Sequence, residues 1–173
     1  MILRLVGLVL VSLIAGCHQA TPEERAVTEV ERLGGQVRKD GRLPGMPVTT
    51  VILAGSKVTD GELQVVKSFP QLRSLDLRET RISDRGLLQL EKLSKLEELN
   101  LERTQITDGG LPSLNKLKEL RKLNLNRTRV SDFGLESLKE LTKLEELSVK
   151  DTDVSENRAQ RFSEQLPKVN VIR

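Results

Sequence analysis

The chain has 173 residues, and 28 Lys and Arg against 25 Asp and Glu give a formal net charge of +3. One cysteine excludes an intrachain disulfide, and one histidine argues against histidine-based catalysis. Aromatic residues make up 2%, so neither an aromatic-lined cofactor pocket nor a base-stacking surface is expected. A small positive charge spread over a mixed surface is not typical of nucleic-acid binding. We therefore predict no cofactor and no nucleic-acid partner.

The N-terminus has the pattern of an export signal. Arg4 precedes an apolar stretch over residues 5–16. This stretch is too short to span a hydrocarbon core of about 30 Å, but it has the length of a signal-peptide h-region. The letters LIAG then lead to Cys17, and this junction resembles the lipobox of bacterial lipoprotein signal peptides. The resemblance implies cleavage before Cys17 and lipid attachment to it, whereas the alternative is an ordinary signal peptide with an incidental cysteine.

On the lipoprotein interpretation, residues 1–16 are the signal peptide and residues 17–47 are a lipidated tether with an N-terminal helical cap. The protein is then expected in the cell envelope, anchored to a membrane and either facing the periplasm or on the outer membrane. Thr21, Pro22 and Glu24 form a capping-box pattern that predicts a helix start. Gly34 and Gly35 predict its end.

A period of 24 residues dominates the rest of the chain. Leu72, Leu96, Leu120 and Leu144 are spaced by 24. The first three open units of the form LxxLxLxxTx[IV][ST]DxGLxxLxxL, and the unit that begins at Leu144 departs from this form after Val154. These units resemble leucine-rich repeats, most closely the cysteine-containing variant of F-box-type proteins, with threonine at the usual Cys or Asn position. The resemblance implies an α/β solenoid: a leucine-rich-repeat horseshoe with a parallel concave sheet and short convex helices. It covers residues 48–173, as five repeats and a C-terminal cap strand predicted at 169–171.

Within each unit the pattern also predicts local roles. Leu99 and Leu101 alternate with polar residues, so they are expected to face inward. The aspartates that follow [IV][ST] are predicted to cap the next helix, which we prefer to a metal-binding ladder. The threonines are expected to donate hydrogen bonds at the turns. The aspartates are Asp60, Asp84, Asp108 and Asp132, and the threonines are Thr80, Thr104, Thr128 and Thr152.

The outward strand positions and the following turns form the predicted partner-binding face, because the strand faces of solenoids are their usual binding surfaces. Its candidate residues are Asp76, Arg78, Asn100, Arg103, Asn124, Asn126, Arg127 and Arg129. Two interpretations remain open for Arg103 and Arg127: ion pairs with Glu79 and Asp151, or a docking strip for an anionic partner.

No nucleophile–base pair and no metal-ligand spacing is evident, so the sequence predicts neither a catalytic residue nor a metal site. The predicted function is non-catalytic binding of an unknown protein or anionic envelope macromolecule. The alternative is a structural, self-associating envelope spacer without a discrete ligand.

Overall fold

A computed structural model describes residues 20–173. The predicted signal peptide and Cys17 lie outside the described residues. The α helices and strands follow one another along the chain, and 3₁₀ helices occupy much of the side opposite the sheet. The α helices are α1 (Pro22–Arg32), α2 (Asp84–Leu87), α3 (Asp132–Ser137) and α4 (Glu156–Gln165). The strands are β1 (Gln36–Lys39), β2 (Val48–Ile52), β3 (Ser74–Asp76), β4 (Glu98–Asn100), β5 (Lys122–Asn124), β6 (Glu146–Ser148) and β7 (Asn170–Ile172). The 3₁₀ helices are Glu62–Ser68, Leu88–Leu90, Leu111–Lys116 and Leu138–Glu140.

Within residues 20–173, one seven-stranded sheet has its strands in chain order. Strands β2 to β7 pair in parallel, and residues 24 apart in sequence are partners, as Leu75, Leu99, Leu123 and Leu147 show. Strand β1, which the sequence analysis missed, pairs antiparallel with β2 and adds a hairpin at the N-terminal edge. The predicted solenoid with a parallel sheet is confirmed.

The core is a single stack of leucines between the sheet and the helical side. Leu99, Leu101, Leu123 and Leu125 are all buried, which confirms the predicted inward phase. Leucines on the helical side, such as Leu111 and Leu114, close the same core from the opposite face. One repeat cannot cover this apolar surface alone, so each is stabilised by its neighbours.

The first turn of α1 fastens the N-terminal cap to the sheet. Thr21 and Glu24 form the predicted capping box, and Gly34, with φ of +84°, follows the helix end. Buried Ala26 and Val30 join the core. The carboxylate of Glu23 accepts the N–H of Val48, with 2.9 Å between Oε1 and N. The start of α1 therefore lies beside the start of β2.

The last strand begins on the repeat period, which corrects its predicted register. The sequence interpretation placed that strand at 169–171, which is about two residues early for the repeat period. In the structure Val171 pairs with Leu147, 24 residues before it. Val169 instead lies before the strand, where its N–H donates to the carbonyl of Leu166.

The aspartates that recur every 24 residues do not cap their own helices, contrary to the prediction. The caps of α2, α3 and α4 are the serines just before those helices, Ser83, Ser131 and Ser155. Each aspartate carboxylate instead accepts a backbone N–H and a hydroxyl from the next repeat. Asp84, for example, accepts from Thr107, with 2.8 Å to N and 2.6 Å to Oγ1. The same clamp joins Asp60 to Ser83, Asp108 to Ser131 and Asp132 to Ser155.

The glycine of each DxG segment makes room for this clamp. A Cβ on Gly110 would lie 2.5 Å from Oδ1 of Asp84 in the preceding repeat. Gly86 stands in the same relation to Asp60, at 2.6 Å. The glycine is therefore required by packing between repeats rather than by a left-handed backbone.

The turn threonines donate as predicted, but within their own repeat. Each hydroxyl donates to the carbonyl three residues earlier, at 2.6 Å, from Thr80, Thr104, Thr128 and Thr152 to residues 77, 101, 125 and 149.

Candidate binding face

Asp76, Asn100 and Asn124 lie side by side on adjacent strands of the concave face. Their Cα atoms are register partners across β3, β4 and β5. Together with the outward side chains of the same strands, chiefly Glu98 and Lys122, they line an open groove of about 270 Å³. These three predicted site residues therefore form a polar row in one groove that crosses three repeats.

The side-chain oxygens of this row accept hydrogen bonds from the nearby backbone. Oδ1 of Asn100 accepts the N–H of Glu102 at 3.0 Å, and Oδ1 of Asn124 accepts that of Asn126 at 2.9 Å. Oδ1 of Asp76 accepts the N–H of Arg78 at 3.1 Å.

These bonds fix the asparagine amides so that their NH₂ groups are the available ends. The amide of Asn124 donates to Glu102 at 3.3 Å. No acceptor for the amide of Asn100 lies among residues 20–173, so the groove offers a hydrogen-bond donor at its centre.

The side chain of Asn126 forms structural hydrogen bonds that the sequence did not indicate. Its Oδ1 accepts the hydroxyl of Ser148 and the N–H of Lys150, both at 2.7 Å. Ser148 is buried. Asn126 therefore joins two repeats in addition to facing the binding surface.

A row of turn residues with a left-handed backbone follows the strands of the concave face. The five positions precede the turn Ser or Thr of each repeat, and we call them the turn row: Gly55, Glu79, Arg103, Arg127 and Asp151, with φ of 67°, 58°, 57°, 55° and 54°. A side chain in this region costs about 1–2 kcal/mol. Only the first repeat uses glycine, so the other four carry charged side chains in a disfavoured conformation.

The arginines of the turn row pair with the acids of neighbouring repeats. Arg103 lies 3.4 Å from Glu79, and Arg127 lies 3.2 Å from Asp151. Arg78 pairs with Asp76 of its own repeat at 3.2 Å. Because all three guanidiniums are more than half exposed, these are solvent-screened pairs that contribute little stability.

Other cations at this edge have no ion-pair partner among residues 20–173. Arg129, a predicted site residue, is one of them, and Lys57, Arg81 and Lys150 are the others. The edge therefore keeps an uncompensated positive charge after its ion pairs are counted.

At the opposite edge, where the strands start, charges of alternating sign form ion pairs between repeats. Arg73 pairs with Glu97, and Arg121 with Glu145 at 2.5 Å. Lys122 lies 3.2 Å from Glu98, and the hydrogen bond to that carboxylate raises the pKa of Lys122.

Residues 20–173 contain no group of three or more His, Cys, Asp or Glu side chains that could hold a metal ion. In the same range, no helix is both long enough and apolar enough to cross a membrane.

A family model for leucine-rich repeats matches residues 70–90 and 92–114. A search of curated proteins finds no match to the chain. The chain is similar to solved repeat structures from bacteria and a plant. One is an internalin (inlF) from Listeria monocytogenes, with 27% identity, a TM-score of 0.61 and coverage of 72% of this chain and 34% of that one.

Two further structures are similar in fold alone. Internalin C2 (inlC2) from Listeria monocytogenes has 24% identity and a TM-score of 0.52, over 62% of this chain and 44% of that one. The leucine-rich-repeat ectodomain of the receptor kinase SOBIR1 from Arabidopsis thaliana has 16% identity and a TM-score of 0.57, over 88% and 91%.

These likenesses confirm the fold as the open solenoid of leucine-rich-repeat proteins. Such proteins generally mediate protein–protein interactions and are typically non-catalytic. The chain spans about a third of the length of the inlF internalin and under half that of internalin C2.

Proposed function

We propose that this protein is a non-catalytic, lipid-anchored leucine-rich-repeat protein of the bacterial envelope that binds a protein partner on its concave face. The observation that carries the binding proposal is the groove over β3, β4 and β5. Its asparagine oxygens are held by the backbone, and the amide of Asn100 is left to donate. A fixed donor that needs no reordering favours recognition of a partner's carbonyl or carboxylate groups.

The charge pattern supports an anionic contact on the partner. The turn row and the cations beside it keep an uncompensated positive charge, whereas the strand-start edge is paired. Exposed ion pairs such as Arg103–Glu79 exchange readily with a partner's carboxylates, because solvent already screens them. Arginine suits carboxylate and phosphate through its planar fork of donors.

Capture from envelope extract tests the binding face. The double variant Arg103→Glu and Arg127→Glu should lose the captured protein, and capture by the parent should weaken as salt is raised. The matched control is Lys92→Glu and Lys116→Glu on the helical side, which makes the same charge change at exposed positions. Equal capture by the parent and both double variants contradicts the proposed face.

The alternative of a structural spacer makes a different prediction in the same material. A spacer enriches no partner in the capture but self-associates as its concentration rises. Sedimentation velocity over a dilution series measures that association directly. Concentration-dependent oligomers together with an empty capture would replace the binding proposal.

The anchor is tested at Cys17. The lipoprotein junction LIAGC supports lipid attachment there. The full chain and a Cys17→Ser form are expressed, and their masses report cleavage and lipid addition. We expect the lipid on the parent only, and loss of Cys17→Ser from the membrane fraction once its precursor has been accounted for.

A further inference from the structure

The loop between β1 and β2, residues 40–47, combines an exposed apolar side chain with nearby cations. Met46 is 58% exposed, which makes it one of the few large hydrophobic side chains open to solvent in residues 20–173. Arg38, Lys39 and Arg42 lie within five residues of one another and are exposed. A cluster of cations around an exposed apolar side chain is typical of protein segments that lie at a membrane interface.

These cations lack the ion pairs that Arg73 and Arg121 form along the solenoid. Along the solenoid, Arg73 and Arg121 each pair with an acid 24 residues on, in the next repeat. Among residues 20–173, strand β1 is the edge of the sheet, and no described repeat lies beyond it. No ion pair of Arg38, Lys39 or Arg42 lies among residues 20–173.

The acids near the loop accept hydrogen bonds from backbone N–H groups. The carboxylate of Asp40 accepts the N–H of Arg42 at 2.9 Å. At the start of α1, Glu23 accepts the N–H of Val48, and Glu24 accepts that of Thr21 at 2.7 Å. The loop therefore presents its cations with their charge only partly offset.

The loop also lies close to the start of α1, which follows the proposed anchor in the sequence. The bond from Val48 to Glu23 places the start of α1 beside the end of the loop. Three residues separate Cys17 from Thr21, the cap of α1. At about 3.3–3.6 Å per residue, this connection reaches at most about 14 Å.

We infer that residues 38–46 form a membrane-contact surface for anionic phospholipid, with the three cations against the headgroups and Met46 at the interface. This inference rests on the lipid anchor proposed above. Anionic headgroups attract basic segments near the membrane surface. A contact too weak to hold a free protein suffices here, because the anchor raises its effective concentration.

Cations on an edge strand have another use, since they discourage edge-to-edge pairing between copies. That use accounts for Arg38 and Lys39 on β1. It does not account for Arg42 and Met46, which lie in the loop beyond the strand.

The test places a fluorophore at the loop of the full chain, with mass confirming that Cys17 is lipidated and cannot react. Met46→Cys carries the label, and Phe133→Cys is the control, since Phe133 is 86% exposed on α3. Each is reconstituted into vesicles of phosphatidylcholine alone, or of three parts phosphatidylcholine to one part phosphatidylglycerol. A headgroup-linked quencher is included in both.

We expect the label at position 46 to be quenched several-fold more than the label at 133 in the phosphatidylglycerol vesicles. Three changes should each reduce the quenching at position 46 toward that at position 133. They are added salt, vesicles of phosphatidylcholine alone, and the triple variant Arg38→Glu, Lys39→Glu and Arg42→Glu. Circular dichroism of the triple variant checks that the fold is kept.

Flotation separates failure of the contact from failure of the anchor. If lipidated protein floats but the two labels are quenched equally, the contact is wrong and the anchor stands. If mass shows an unmodified Cys17 and the processed chain does not float, the anchor is wrong and the contact fails with it. If the triple variant forms oligomers and the parent label at 46 is not quenched, the cations protect the edge instead.

Discussion

At the scale of single residues, the aspartate of one repeat and the glycine of the next form one packed unit. The carboxylate of Asp84 reaches across to Thr107 and occupies the space where a side chain on Gly110 would lie. Each residue of the DxG segment thus has its role in a different interface: the aspartate joins the following repeat, and the glycine receives the preceding one.

This pairing predicts coupled mutational effects at Asp84 and Gly110. Gly110→Ala should lower the free energy of unfolding by about 1–3 kcal/mol, as overpacked sites do. Asp84→Ala should cost about 1–3 kcal/mol through the donors of Thr107 left unsatisfied. In the Asp84→Ala background the cost of Gly110→Ala should shrink, because the carboxylate is gone. Urea denaturation of the four chains measures the coupling.

Gly109→Ala is the matched control for Gly110→Ala. A Cβ at this neighbouring glycine would lie 3.3 Å from Asp84, and the residue is exposed. We expect a change much smaller than at Gly110. Additive costs for Asp84→Ala and Gly110→Ala would contradict the shared-space explanation.

The last clamp also predicts a pH dependence of stability. Hydrogen bonds from the backbone N–H and hydroxyl of Ser155 lower the pKa of Asp132 below its ordinary value of 3.8. Its contribution is therefore complete above pH 3.8 and is lost as the pH falls through the lower folded-state pKa. Asp132→Asn should make stability fall less steeply with acid in this window.

Urea unfolding across the acid range measures this slope. Ser155→Ala removes the hydroxyl donor and keeps the backbone donor, so its slope should lie between those of the parent and Asp132→Asn. An unchanged slope in Asp132→Asn would mean that the Ser155 bonds do not favour the charged carboxylate.

The left-handed turn row makes a third prediction at this scale. Arg103 has φ of +57°, a region that asparagine tolerates and β-branched residues do not. Arg103→Asn should keep or slightly raise stability, whereas Arg103→Val should lower it by about 1–3 kcal/mol. Arg129, which is outside the left-handed region, is the control. In thermal unfolding, the difference in stability between Arg129→Asn and Arg129→Val should be far smaller than that between the two variants of Arg103. Equal losses at both positions would contradict the strain.

At the scale of elements, hydrophobic spacing predicts most of the fold. A period of 24 leaves one consistent set of inward residues, and Leu99 and Leu123 are buried as that set requires. The hairpin strand β1 escaped prediction, because a four-residue segment with one apolar residue, Val37, carries no alternating pattern. Its position depends on pairing with β2, which sequence periodicity does not encode.

The candidate site was predictable where interactions follow the repeat. The pairs Arg103–Glu79 and Arg127–Asp151 join residues 24 apart, so the repeat alone indicates them. The interface role of the aspartates was missed, because a helix cap and a clamp to the next repeat fit the same sequence pattern. The left-handed turns were also missed, because only the first repeat has glycine at this position, Gly55, and the other repeats have charged residues there.

The strand phase predicts unequal costs at neighbouring residues of β5. Leu123 is 1% exposed, so Leu123→Ala should cost about 2–5 kcal/mol, as for a filled core position. Asn124→Ala removes the hydrogen bond accepted from the N–H of Asn126 and the long one donated to Glu102, and should cost about 0.5–1.5 kcal/mol. Chemical denaturation compares the two, and similar losses would contradict the inward and outward assignment.

At the scale of the whole molecule, each repeat touches only its neighbours, so the solenoid should tolerate loss of whole repeats. Deletion of residues 97–120 joins Leu96 to Arg121 and keeps the period of 24. Asp84 would then meet Ser131, which offers the same backbone and hydroxyl donors as Thr107. A shift of a few residues in the deleted segment breaks both the leucine stack and the clamp.

The charges at the strand starts decide how well each shortened protein folds. Removing residues 97–120 brings Arg73 beside Arg121, where like charges repel across the strands. Removing residues 97–144 instead brings Arg73 beside Glu145 and restores an opposite pair. We expect both to unfold cooperatively in urea, with m-values that fall as repeats are lost. Added salt should stabilise the one-repeat deletion relative to the two-repeat deletion, because it screens the new repulsion. A one-repeat deletion that fails to fold even in high salt would contradict a stack held together by nearest-neighbour contacts.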